Sequence, residues 1–143
     1  MRIGLVSCVK SKLDHAAPAE DLYTSALFRS ARHAVERSSN RWYILSALHG
    51  LVPPDRVLEP YERTLSNASV AERRTWAERV LGELTEELGP SMRETIFEIH
   101  AGAAYEGFGL SAGLRRSGAT IELPLAGLRQ GERLRWYKQR GHL

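Results

Sequence analysis

The densest run of chemically able side chains lies between Ile44 and Leu65, ILSALHGLVPPDRVLEPYERTL. Ser46, His49, Asp55, Glu59 and Tyr61 stand within it, with Arg56 and Arg63. A histidine or carboxylate can move a proton, a phenol can hydrogen-bond or stack, and a guanidinium can hold an anion. Glu59 precedes Pro60 and Tyr61 and is the preferred acid/base or sugar-facing carboxylate; the alternative is a pair with Arg63 or a cap on the next helix. His49 either takes part in chemistry or simply satisfies the end of a strand. Gly50 permits a positive φ or close approach of a ligand to the backbone. Pro53, Pro54 and Pro60 each fix φ and restrict the residue before them, which suits a preformed wall better than a lid.

Three shorter segments have the same character. Ser7, Cys8, Lys10, Ser11 and Lys12 supply hydroxyls, a thiol and ammonium groups just after an apolar run. A phosphate would suit such a turn, although the glycines of a Walker loop are missing; the alternative is a polar turn in solvent. Cys8 could be a nucleophile if a base lowered its pKa, or a small buried side chain. Tyr23, in DLYTSALF, could wall or hydrogen-bond a ring-shaped ligand, while a neighbouring hydroxyl caps the next helix. His100, Gly102 and Tyr105, in HAGAAYE, repeat the order of polar residue, small residues and helix. A metal site built on His49, His100 and a carboxylate has no motif spacing behind it, so no metal and no cofactor are expected.

The elements that must position these groups follow from the hydrophobic pattern. Arg2–Val6, Trp42–Ser46, Thr95–Ile99 and Thr120–Leu123 read as strands. Helices are expected over 20–37, from the Ser69/Glu72 capping box to Leu88, over 103–116 and over 130–139. Gly107, Gly109 and Gly113 weaken the third of these. Alternating strands and helices imply one α/β domain over residues 1–143, with three layers and a mainly parallel sheet of about four strands flanked by helices. Ligands of such sheets bind beyond the carboxyl ends of the strands, where three of the four segments above fall.

Bulk properties narrow the function classes. A chain of 143 residues, 43% apolar and 26% charged, suits one globular domain without disulfides, and no run approaches the ~18 apolar residues that a membrane span needs. No signal peptide is read at the N-terminus, and a single cysteine fits a cytoplasmic location. The net charge of +3 is a mild bias towards anionic partners. The concentrated basic segment, Arg129 to Arg140 around Trp136 and Tyr137, reads as an amphipathic terminal helix or a nucleic-acid contact.

SCVKSK, LYTSALF and ILSALHGLVPPDRVLEPYERTL, with HAGAAYE further on, together resemble the family of small bacterial and phage proteins related to the peroxide-stress protein YaaA. Members have a tyrosine-threonine segment before a helix, then a serine-containing strand leading into a glycine-leucine and proline loop that ends in proline-tyrosine. Those features correspond to Tyr23-Thr24, Ser46, Gly50-Leu51, Pro53 and Pro60-Tyr61. A similar strand and loop occur in a domain of the archaeal enzyme that completes archaeosine in tRNA, which looks like a uracil-DNA-glycosylase-type α/β fold. The resemblance implies a nucleotide, nucleobase or nucleic-acid context.

Two functional expectations result. The first is an enzyme acting on a nucleotide or modified nucleoside at its N-glycosidic bond, with Glu59 facing the sugar, His49 or His100 at the base, Tyr23 or Tyr61 stacking, and Ser7 with Lys10 on phosphate. The second is a non-catalytic stress protein that binds nucleotides or single-stranded nucleic acid through Lys10, Lys12 and the basic tail. A subunit docking through Trp136-Tyr137 is a third possibility, and no oligomeric state is read from the sequence.

Overall fold

The computed structural model describes residues 1–142 as a single mixed α/β domain. Strand β1 (Arg2–Ser7) is the centre of the sheet and is almost wholly buried, as its continuous apolar run requires. Each aliphatic side chain it buries contributes about 1.5–3 kcal/mol. A short β2 (Ala17–Pro18) and α1 (Ala19–Leu22) follow, then α2 (Ala26–Ser38). The single helix expected over 20–37 is thus two helices. Tyr23 leaves α1 in an extended conformation, and Ser25 caps α2 by accepting the Phe28 N–H at 3.1 Å.

Strand β3 (Arg41–Ser46) pairs in parallel with β1. The chain then turns back at once as β4 (Gly50–Val52), antiparallel to β3, where irregular loop was expected. Gly50 adopts φ 71°, and a side chain there would collide with Glu83 and Arg79. After Pro53-Pro54 the chain forms β5 (Val57–Leu58), which pairs with β2. The Ala19 and Glu20 N–H groups donate to Arg56 and Pro54 carbonyls at 2.7 and 2.9 Å, which ties the proline segment down.

Helix α3 (Val70–Leu88) begins at the expected capping box, with Ser69 Oγ accepting the Glu72 N–H at 3.1 Å. It ends at Gly89, whose φ of 51° breaks the helix. Strand β6 (Ile96–His100) pairs in parallel with β1. Helix α4 (Ala103–Glu106) and helix α5 (Leu110–Arg116) are separated at Gly107–Gly109, where one helix was expected. Strand β7 (Thr120–Glu122) adds in parallel to β6, and α6 (Gln130–Gln139) occupies the bounds read from the sequence.

The main sheet therefore has five strands in the order β4-β3-β1-β6-β7, parallel except for β4. The additional strand over the expected four is β4. Gly4, aligned with Trp42 and Glu98, faces α2 so closely that a Cβ would lie 2.5 Å from Val35. Tyr43, one residue on from Trp42, hydrogen-bonds Glu87 of α3. No helix among the described residues is long and apolar enough to cross a membrane.

Candidate functional site

Beyond their last paired residues, β1 and β3 continue side by side. The Cys8 N–H donates to the Leu45 carbonyl at 2.9 Å, and Cys8 Sγ accepts the Ala47 N–H at 3.4 Å. Ser46, completely buried, turns its hydroxyl into the hairpin, where it accepts the His49 N–H at 3.0 Å. Segment 11–13 runs antiparallel to 22–24, and the Lys12–Tyr23 bridge makes those two residues neighbours. The tied-down loop then brings Tyr61 onto both. Its hydroxyl lies 2.7 Å from Ser46 Oγ and 2.6 Å from Tyr23 OH, a continuous chain of three hydroxyls.

Lys12 closes the cluster. Its Nζ sits 4.5 Å from the Tyr61 ring centroid and 5.6 Å from that of Tyr23, donating to the Val9 and Lys10 carbonyls at 3.0 and 3.3 Å. On the other side Tyr105 OH approaches Cys8 Sγ to 3.3 Å, and the Leu65 N–H reaches the same phenol at 3.5 Å. The Trp76 indole meets the Tyr105 ring edge-on and donates to the Ser46 carbonyl at 2.8 Å. A cavity of about 370 Å³ lies alongside, lined by Ala47, Leu48, Arg63, Thr75, Trp76 and Arg79 among others.

Burial decides the protonation states. It pushes the Tyr23, Tyr61 and Tyr105 phenols well above their ordinary value, so all three hold their protons through the neutral range. Burial also lowers the Lys12 ammonium, against attraction from Cys8 and Glu62. His49, half-buried with its ring edge-on to Tyr61 at 5.3 Å, is lowered by burial and then by Arg56 and Arg79. It is therefore neutral at pH 7 and able to accept a proton.

The structure thus brings together Cys8, Lys12, Tyr23, Ser46, Tyr61 and Tyr105, with His49 at the edge. Ser7 ends β1 half-buried, Lys10 is exposed and contributes its carbonyl to Lys12, and Gly50 shapes the hairpin. Gly102 caps α4, with its carbonyl accepting from Tyr105 and Glu106. Glu59 is exposed and has no side-chain partner among the described residues. A salt bridge pairs Arg63 with Glu72, at 3.0 Å, rather than with Glu59.

His100 does not join this group. Its Nδ1 is 2.6 Å from Tyr137 OH and its Nε2 is 3.0 Å from Glu98 Oε2, which also accepts the Ser38 hydroxyl at 2.7 Å. The parallel register explains this: His100 aligns with Val6 and Glu98 with Gly4, so both side chains share the face on which Gly4 meets α2. The expectation that His49, Glu59 and His100 share one pocket is corrected accordingly. Among the described residues no group of three or more His, Cys, Asp or Glu side chains is placed to hold a metal ion.

A family model matches residues 3–139, nearly the whole chain. The protein belongs to DUF6884, a family of unknown function. No curated protein and no solved structure matches the chain significantly. The matched span includes both the hydroxyl cluster and the His100 chain, while His142 lies outside it.

Trp76 is a member of the site that the sequence pattern did not single out. Its position in the second turn of α3, next to the carboxyl ends of the strands, is the signal that could have singled it out. Glu98 and Tyr137 were also missed. The spacing of Glu98 and His100 on a strand makes them same-face neighbours, whereas Tyr137 arrives from a distant helix.

Proposed function

We propose that the protein is an enzyme that binds a nucleotide or modified nucleoside at the carboxyl edge of β1 and β3 and hydrolyses its N-glycosidic bond. The observation that carries the reading is the buried Ser46–Tyr61–Tyr23 hydroxyl chain beneath the Lys12 ammonium. Phenols that stay protonated are hydrogen-bond donors to ring nitrogens and carbonyls of a base. The neighbouring cavity is of ligand size, and both Ala47 and Trp76 in its wall are hydrogen-bonded to the cluster.

In this reading Tyr61 donates a hydrogen bond to the leaving base, and neutral His49 accepts a proton from the attacking water. The C–N bond breaks as the water oxygen bonds to the sugar carbon, and the proton ends on the released base. The geometry moves the emphasis from Glu59 to Tyr61; an exposed Glu59 serves only as a carboxylate on the loop rim for the charge developing on the sugar. The fold is read as a three-layer α/β domain akin to YaaA-related proteins, in a cytoplasmic setting that the lone buried thiol supports. Incubation with a panel of nucleosides and nucleoside monophosphates, followed by chromatography for free base, tests the activity. Release from at least one member, abolished in His49→Ala, is expected; no release from any member would leave only a non-catalytic binding role.

A further inference from the structure

A second cavity, about 440 Å³, lies between α3 and the α4–α5 turn, apart from the hydroxyl cluster. Its wall takes Arg74 and Glu78 from α3 and Arg116 from α5, with Gly107, Phe108 and Gly109 from the turn. Neither guanidinium has an ion-pair or hydrogen-bond partner among the described residues, although Glu78 stands in the same wall. By contrast Arg63, Arg73 and Arg79 nearby are all engaged.

Other features support a prepared wall. Arg73 donates to the Leu65 and Ser66 carbonyls and lies 4.9 Å over the Phe108 ring, which holds that ring in place. The turn needs its glycines: a Cβ at Gly107 would sit 2.7 Å from the Ala103 carbonyl oxygen, and Gly109 has φ 120°. Helix α3 carries Glu72 in its first turn, followed directly by Arg73 and Arg74, and has Glu83, Glu86 and Glu87 towards an end that carries no base.

We propose that this cavity binds a phosphate group, with Arg74 and Arg116 as its two guanidinium ligands. Planar guanidinium forks fit phosphate oxygens better than a point charge does, and the two here come from separate helices that line one cavity. The phosphate belongs either to a small nucleotide or to a single strand of nucleic acid. The assignment does not depend on the glycosidase reading.

Binding of inorganic phosphate, adenosine monophosphate, adenosine and a short oligothymidylate is to be measured on the full chain at low and moderate salt. Wild-type protein is expected to bind the phosphate-bearing probes, weakening as salt rises. The paired variant Arg74→Gln/Arg116→Gln should weaken phosphate binding by about tenfold or more. Glu78→Gln should tighten it by removing a like charge, and Arg41→Gln, exposed at the start of β3, should leave it unchanged. Monophosphate bound in preference to oligomer supports a small-nucleotide source, and the reverse supports a strand. Equal affinity in the wild type and the paired variant, or no phosphate-bearing probe bound at all, would overturn the proposal. Adenosine binding is untouched by either result and reports on the hydroxyl cluster alone.

Discussion

The hydroxyl cluster at the ends of β1 and β3 and the Ser38–Glu98–His100–Tyr137 chain on the α2 and α6 side hold opposite kinds of group. The first joins neutral hydroxyls and a thiol beneath one ammonium. The second joins a carboxylate to an imidazole whose two ring nitrogens are both occupied. No fully buried side-chain nitrogen or oxygen among the described residues lacks a partner. A histidine with both nitrogens engaged has no atom left for a substrate, which makes His100 a structural tie between β6 and α6. The cluster lies beside a cavity of about 370 Å³ and has a neutral His49 at its edge, whereas Ser38, Glu98 and His100 line a smaller one of about 170 Å³; the first is the half to which we assign the chemistry.

The largest effect is expected where the tie is cut. His100→Leu leaves Glu98 and the Tyr137 hydroxyl buried without their partner and should destabilise the fold by about 3 kcal/mol, measured by urea denaturation. A loss near zero would mean that the chain is not a structural tie. Tyr61→Phe removes one hydroxyl shared by Ser46 and Tyr23 and should cost less, about 1–2 kcal/mol, with a loss of ligand affinity of comparable size.

Titration should separate the two regions further. Burial alone would raise Glu98, but hydrogen bonds from His100 and Ser38 outweigh it and hold the carboxyl below its ordinary 4.5. Its contribution is present above that value and is lost as pH falls through the folded pKa. His142 hydrogen-bonds His33 through the two Nδ1 atoms at 2.8 Å. Its pKa is lowered by burial and then by His33, Arg37 and His100, so it weakens the same seam as pH falls below 6.5. Tyr23, Tyr61 and Tyr105 are raised above 10, and their contribution is full below that value and lost only as pH climbs past it. His49 is lowered too and weakens the edge of the cluster in the same window as His142, so the two regions part only below 4.5, where Glu98 takes up its proton; acid unfolding should then begin around α6, seen as a change in Trp136 fluorescence. An acid transition that left Trp136 unchanged would break the distinction.

What could be read in advance divides along physical lines. The start of α3 was legible because Ser69 and Glu72 satisfy orphan amides locally, and α6 because its pattern is bounded by loop on one side and glycine on the other. Strand β4 was not, since Gly50–Val52 is too short to show a period and forms by folding back on β3. Cys8, Lys12, Tyr23, Ser46, Tyr61 and Tyr105 could be named because they lie near the ends or starts of recognisable elements. His100 carried the same local signature. Its direction depends on which face of β6 receives α6, and the deciding partner, Tyr137, is 37 residues away.

Which network meets the ligand is tested most directly by nucleoside binding, followed by calorimetry, to Tyr61→Phe and Ser38→Ala, with both variants shown to be folded. Loss of about tenfold or more in affinity for Tyr61→Phe, with Ser38→Ala binding as wild type, is the predicted result. Equal binding by Tyr61→Phe, or weakened binding by Ser38→Ala alone, would contradict it.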